Sequence, residues 1–272
     1  MPLPKDELTL VTCQAANTIP ISRAIASYLS QQLSIPVRFI ENIKWQDAYQ
    51  GIAGGEIDIG WICGRPYAQL VDEIHAPIRL LTAPVMHDPR YHNRPIYFSD
   101  VIVRHDSPYT KFEDLRGRTW AYNEPSSQSG YHITCYNLST IGEDAQFFGH
   151  VIESGSHSQS IDMVMAGKVD ASAIDSTLLE WLIKQDPSLR KKLRIIDTWG
   201  PSPIPPLVIN SSLGEDKINA IQNHLLELEN SAAGRKILSA GLLRRFSKVI
   251  DNEYNPIREM ASISSGIRLE SR

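Results

Sequence analysis

The chain carries the same four-residue turn twice, and this repeat constrains the architecture more than any single segment. Gly55-Glu-Ile-Asp58 and Gly167-Lys-Val-Asp170 each follow a stretch with helical spacing of apolar residues, and each opens an apolar run. Glycine suits the left-handed backbone position that ends a helix, and a charged residue fills the turn. A β-branched residue then starts a strand, with Asp next. Solenoid arrays repeat every ~20–50 residues, and these two copies lie much further apart. The expectation is one helix–turn–strand unit present in each of two similar lobes, with chance recurrence of a common turn as the competing explanation.

The rest of the pattern is α/β. Short β-prone runs at Leu8–Cys13, Val37–Ile40, Ile57–Ile62, Leu80–Ala83 and Tyr97–Val103 alternate with helical periodicity at Ile21–Leu33 and Trp45–Ala53. Such alternation predicts mostly parallel sheet. The second half repeats it, with strands expected at Thr119–Tyr122, Gln146–Phe148, Val169–Ile174 and Leu193–Asp197. Helices are expected at Tyr131–Leu138 and Ser158–Ala166 and in the tail from Lys217. If the chain crosses to a second lobe along Tyr97–Val103, the Pro-rich stretch Trp199–Ile209 is where it returns. That arrangement predicts a discontinuous first lobe (1–98 plus 206–272), a second lobe (99–205) and a ligand cleft between them.

Composition excludes several classes. The net charge is −4 and the basic residues are dispersed, so there is no field to hold nucleic acid. Three cysteines, Cys13, Cys63 and Cys135, form no C-x-x-C pair and suit buried thiols better than zinc or redox chemistry. The opening Met1-Pro-Leu-Pro-Lys-Asp-Glu has no basic region followed by an apolar core, so no export leader is readable. No apolar stretch is long enough to span a bilayer.

One loop stands out chemically. Asn123-Glu-Pro-Ser-Ser-Gln-Ser-Gly130 lies between a predicted strand and a predicted helix. Its last residues would present N–H groups at a helix N-terminus, where anions are favoured. Ser127 and Ser129 add hydroxyls, and Gly130 permits close backbone approach. The plainer reading is that Ser126, Ser127 and Ser129 only cap the helix. His157, in Ser154-Gly-Ser-His-Ser158, sits at a second loop-to-helix junction; a cap or surface role is the alternative. Asp175 ends a predicted strand, with Glu180 a weaker acidic candidate beyond it. Both also suit surface charge or capping. Arg65 and Tyr67 lie in a loop-like segment, where Arg65 suits an anion contact and Tyr67 a pocket wall.

Several landmarks together resemble the substrate-binding proteins of phosphate, phosphite and phosphonate ABC transporters. They are Asp58-Ile-Gly-Trp-Ile62, Tyr97 with Val101-Ile-Val-Arg-His-Asp-Ser-Pro108, Phe112-Glu-Asp-Leu-Arg-Gly-Arg-Thr-Trp120, the serine loop, and Gly155-Ser-His157 leading to Asp175. The resemblance implies a type II periplasmic-binding-protein fold, with two α/β lobes, two crossover hinge strands and a central cleft. It implies that Ser127, Gln128, Ser129, Gly130 and His157 surround a small phosphorus oxyanion, joined by Tyr97 from the first crossover strand and Tyr67. It further implies that an acid near Asp175 neutralises an aminophosphonate's ammonium group. Gln128 departs from the pattern, because the family loop usually carries a hydroxyl there.

The resemblance also implies an uptake role with an ABC membrane permease as partner, without cofactor or catalysis. The protein is expected to be a monomer, and extracytoplasmic if a leader preceded this chain, otherwise cytoplasmic. A hydrolase on the same fold is the first rival, but no G-x-S-x-G elbow, H-E-x-x-H or Walker loop is present. A cytoplasmic sensory module is the second rival, and a binder of a sulfonate or a pyrimidine precursor is the third.

Overall fold

The computed structural model describes residues 6–270. In chain order the elements are β1 (Leu8–Thr12), α1 (Thr18–Leu33), β2 (Val37–Phe39), α2 (Trp45–Ala53), β3 (Ile59–Trp61), α3 (Gly64–Asp72) and β4 (Ile78–Met86). There follow β5 (Ile96–Arg104), β6 (Thr119–Tyr122), α4 (Ile133–Thr140), β7 (His150–Glu153), α5 (His157–Met165), β8 (Ala171–Asp175), α6 (Ser176–Gln185), α7 (Leu189–Lys192) and β9 (Leu193–Pro203). The chain ends with β10 (Leu207–Asn210), α8 (Glu215–Leu226), α9 (Ala232–Ala240), β11 (Leu243–Ser247) and α10 (Asn255–Ile263). Among the described residues no helix is long and apolar enough to cross a membrane.

Two compact units result. The first joins the chain up to Ile96 with Pro203–Asn255, and the second joins Tyr97–Ser202 with the chain from Pro256 onward. The last segment thus differs from the expected boundaries, which assigned the whole tail to the first lobe. Its apolar residues explain the difference: Leu269 is buried in the second unit's core, and Met260 and Ile267 pack against it.

Each unit contains one sheet. The first runs β11-β4-β10-β3-β1-β2 and the second β7-β6-β8-β5-β9. Both hold the same kernel, a parallel strand flanked by the next two parallel strands in sequence: β1 between β2 and β3, and β6 between β7 and β8. Crossovers in such kernels place successive helices on opposite faces of the sheet. In the second unit Tyr131, Ile133 and Leu138 cover one face with Trp120, Tyr122 and Ala173. From α5, Ile161 and Val164 cover the other, with Ala121 and Ile174.

The repeated turn has the geometry its residues suggest. Gly55 and Gly167 both have positive φ, +77° and +66°. The Asp that follows performs the same task in each unit. Asp58 accepts the Thr9 N–H (2.9 Å) and Thr9 hydroxyl (3.0 Å), and its own N–H donates to Thr9 Oγ1 (3.0 Å). Asp170 accepts the Thr119 N–H (2.8 Å) and hydroxyl (2.6 Å), and donates its N–H to Thr119 Oγ1 (2.8 Å). Each latch fixes the start of the third kernel strand against the start of the first. Asp58 is buried and Asp170 half-buried, and each carboxylate is tolerated there because its lone pairs are met.

Two expected elements differ. Gln146–Phe148 is not a strand: Ala145–Phe147 is a short helical turn, capped by Asp144 accepting the Gln146 N–H. Its aromatics are needed in the core, where Phe147 stacks on Phe112 and Phe148 on Trp120. The strand follows instead as β7. The tail from Lys217 is also interrupted by β11, which pairs antiparallel with β4.

Candidate anion-binding site

The carboxyl ends of β6, β7 and β8 bring together most of the residues singled out above, all within the second unit. In open α/β sheets this is where connections diverge to opposite faces and leave a crevice. The chain leaves β6 through Asn123–Ser127 and enters a wide helical turn, Gln128–His132, which continues directly into α4. In that turn the His132 N–H reaches back to the Ser127 carbonyl and the Ile133 N–H to the Gln128 carbonyl, five residues in each case. Such π-turns concentrate at functional sites.

Ser127 caps this helix, its Oγ accepting the Gly130 N–H at 3.1 Å. The capping reading therefore holds for Ser127, while its hydroxyl proton stays available to a ligand. The Gln128 and Ser129 N–H groups, at the helix start, meet no acceptor among the described residues. Gly130 is required by close approach: a Cβ there would lie 1.9 Å from Asn123 Oδ1 and 3.1 Å from His157 Cε1.

A second helix N-terminus meets the first. Ser156 caps α5 by accepting the Gln159 N–H, and His157 is the first helical residue. The two loops are tied by main-chain bonds, Ser154 N–H to Tyr122 O and Gly155 N–H to Asn123 O, both 2.8 Å. His157 Nε2 lies 2.9 Å from Ser129 Oγ, while Nδ1 is buried and without a partner. Burial holds the imidazole down to about 4, so it is neutral at physiological pH and carries one N–H. Neither Asn123–Gly130 nor Ser154–Ser158 contains Lys or Arg. What these two loops can offer an anion is therefore N–H dipoles and not formal positive charge.

Asp175 ends β8 at the same sheet edge and caps α6, accepting the Thr177 N–H and hydroxyl at 2.7 Å each. Burial raises it to about 6, against the bonds from Thr177 and Leu178 and with a further upward push from Asp100. Tyr97 comes to the same end because β5 runs antiparallel to β8, with Ser99 opposite Asp175 and the Phe98 N–H donating to Ser176 Oγ. Its side chain is buried.

Gln128 is fully buried, and its side chain turns to the C-terminal helix, where Nε2 donates to Met260 Sδ at 3.3 Å. The Gln128 side chain is thus engaged away from the loop, which leaves the backbone N–H as the group it can offer there. Tyr67 belongs to the first unit, where its hydroxyl donates to Asp251 (2.7 Å) and its ring packs on Tyr254. Arg65, on the same helix, pairs with Glu73. Asn123 was not singled out by sequence. Its buried, unpartnered Oδ1 against Gly130 makes it part of the wall, and its position as the first residue after β6 was the available signal.

Two α/β kernels of this form, with paired helix N-termini at the strand ends, define a solute-binding protein of the type II periplasmic class. Residues 13–254 match the family described as the periplasmic substrate-binding protein of phosphonate ABC transporters, and the chain belongs to it. A probable phosphite-binding ABC transporter protein, PhnD1 of Prochlorococcus marinus, is 22% identical over 253 residues, 88% of this chain and 82% of that protein. The structure of PhnD1 in complex with methylphosphonate matches with a TM-score of 0.84 at 20% identity, over 96% of this chain and 99% of the other. A phosphonate transporter binding component from Pseudomonas aeruginosa matches with a TM-score of 0.83 at 20% identity, over 95% and 86% of the two chains.

Proposed function

We propose that the chain captures a small phosphorus oxyanion (phosphonate, phosphite or phosphate) on the cradle formed by Ser127–Gly130 and His157. The observation that carries this reading is the meeting of two capped helix N-termini through the Ser129–His157 contact. Each N-terminus favours an anion by about 0.3–1 kcal/mol, rising to ~2 in partly buried geometry. Each hydrogen bond to a charged group adds about 1.5–3 kcal/mol. The Gln128 and Ser129 N–H groups, the Ser127 hydroxyl and the one proton that the hydrogen-bonded Ser129–His157 pair can offer (the Ser129 O–H or the His157 Nδ1–H) together reach the micromolar range or tighter without any cationic side chain.

The family is one of substrate-binding transport proteins and not a class of enzymes. The donor set fits that role: the Ser127 hydroxyl is occupied as a cap acceptor, and the Ser129–His157 pair has no third group at His157 Nδ1 to orient the ring as a base. The working partners are then the ligand and an ABC membrane permease, and the location is extracytoplasmic. Asp175 and Tyr97 line the ligand's outer side in this reading. The carboxyl of Asp175 accepts either an ammonium group or a proton still carried by the oxyanion.

Calorimetry against phosphate, phosphite, methylphosphonate and 2-aminoethylphosphonate tests the proposal. One-to-one binding of at least one of them is expected, weakened about tenfold or more by Ser129→Ala and by His157→Ala. Absence of binding to all four sinks it.

A further inference from the structure

The chain from Pro256 lies along the helical stretch that opens with the anion cradle, and it touches that stretch at three polar points. Gln128 Nε2 donates to Met260 Sδ (3.3 Å), the Leu269 N–H donates to Tyr131 Oη (3.2 Å), and Ser139 Oγ donates to the Ile263 carbonyl (3.4 Å). Gln128 and Tyr131 are three residues apart and so share one face of the turn. Apolar contacts fill the space between these points: Met260 and Ile267 pack on the core that holds Tyr131, Ile133 and Leu138, and Leu269 is buried in it.

Gln128 is the residue through which this strap meets the cradle. Its side chain has no exposure, its Oε1 has no partner, and its amide is held by the Met260 sulfur. Its backbone N–H is one of the two that open toward the ligand position. The side chain and the N–H cannot move independently, because the π-turn fixes the main chain on the far side through the Ser127 and Gln128 carbonyls.

We infer that Met260 is a positioning residue for anion binding: by holding the Gln128 side chain, it aims the Gln128 and Ser129 N–H groups at the ligand. This rests on the reading of Ser127–Gly130 as the anion cradle. Thioether sulfur is a weak acceptor, but removing it leaves a buried amide with neither end satisfied, which costs more than the lost bond itself. The amide then seeks another partner and takes the turn with it.

The test uses the full chain and calorimetric titration with phosphate, phosphite and methylphosphonate, with Tm measured on the same samples. Met260→Leu keeps the volume and removes the acceptor. It is expected to weaken binding about fivefold or more, beyond any change shown by Ser139→Ala, which removes the strap contact furthest from the cradle. A merely structural role would lower Tm in both variants and leave affinity alone. Should Met260→Leu not fold, Met260→Ile gives the same reading, because it too removes the sulfur acceptor, leaves the Gln128 amide in place and keeps an apolar contact. Wild-type affinity in either folded variant overturns the inference alone. Failure of the wild-type protein to bind any of the three anions overturns the cradle reading, and the inference with it.

Discussion

Ser129 Oγ and His157 Nε2 stand 2.9 Å apart at the meeting of two helix N-termini, and both residues are buried. The contact holds one helix start against the other. With Nε2 engaged by the Ser129 hydroxyl, Nδ1 is the ring nitrogen left without a partner.

The two buried titratable groups at this sheet edge respond to pH in opposite senses. Burial lowers His157 from 6.5 to about 4, so only the unfolded chain takes up the proton between those values. Its contribution to stability is full above pH 6.5 and is lost as pH falls through about 4, on the order of 3 kcal/mol in all. Asp175 is raised by burial from 3.8 to about 6. Its contribution is full below pH 3.8 and is lost as pH rises through about 6. Asp175→Asn keeps the α6 cap and removes this counterweight. Its Tm should exceed the wild type's at pH 7 and then fall more steeply between pH 6.5 and 4. Parallel Tm–pH curves for the two proteins would contradict the assignment.

Gly130 should tolerate no side chain. Gly130→Ala drives a methyl group into the Asn123 amide with His157 behind it, at a cost of about 1–3 kcal/mol. Oxyanion binding should be lost in the same variant. Adding Asn123→Ala should restore most of the stability, as read from denaturant midpoints. An unchanged midpoint for Gly130→Ala alone would show that the wall is not closed there.

The twin latches predict twin defects. Asp58→Ala and Asp170→Ala each remove an acceptor shared by a Thr N–H and hydroxyl. Each should destabilise its own unit by about 2–3 kcal/mol. Hydrogen exchange should show lost protection in β1 and β3 for the first and in β6 and β8 for the second. A response confined to one of the two variants would mean that the repeated motif does not perform the same structural task in both units.

Because the cradle relies on N–H dipoles, oxyanion affinity should respond little to ionic strength. Between 50 and 500 mM sodium chloride a change of less than about threefold is expected, since buried short-range bonds escape Debye screening. A steep loss with salt would point to a lysine or arginine in the site.

The kernel of the fold was legible where local chemistry and periodicity agree. Gly55 and Gly167 need positive φ, Thr119–Tyr122 is a short β-prone run buried on both faces, and Asn123–Gly130 reads as a loop that ends in a helix start. What was not legible depends on partners distant in sequence. Phe147 and Phe148 look like strand residues until Phe112 and Trp120 claim them for an aromatic core. β11 exists because β4 offers it an edge. The Gln128–Met260 contact spans most of the chain's second half, and nothing around Met260 announces it. Within the site, Ser127, Ser129 and Gly130 stood out as a loop that ends at a helix start, whereas His157 was singled out through the family resemblance. Asn123 was missed because its importance lies in the Cβ that Gly130 lacks.

Whether the oxyanion is held at this cradle is best asked of the amides themselves. Backbone ¹H–¹⁵N spectra should be recorded as methylphosphonate or phosphate is added. Saturable downfield shifts of the Gln128 and Ser129 N–H signals are expected, together with a change at the His157 ring. Binding that leaves these amides unmoved while signals elsewhere respond would place the oxyanion outside the cradle.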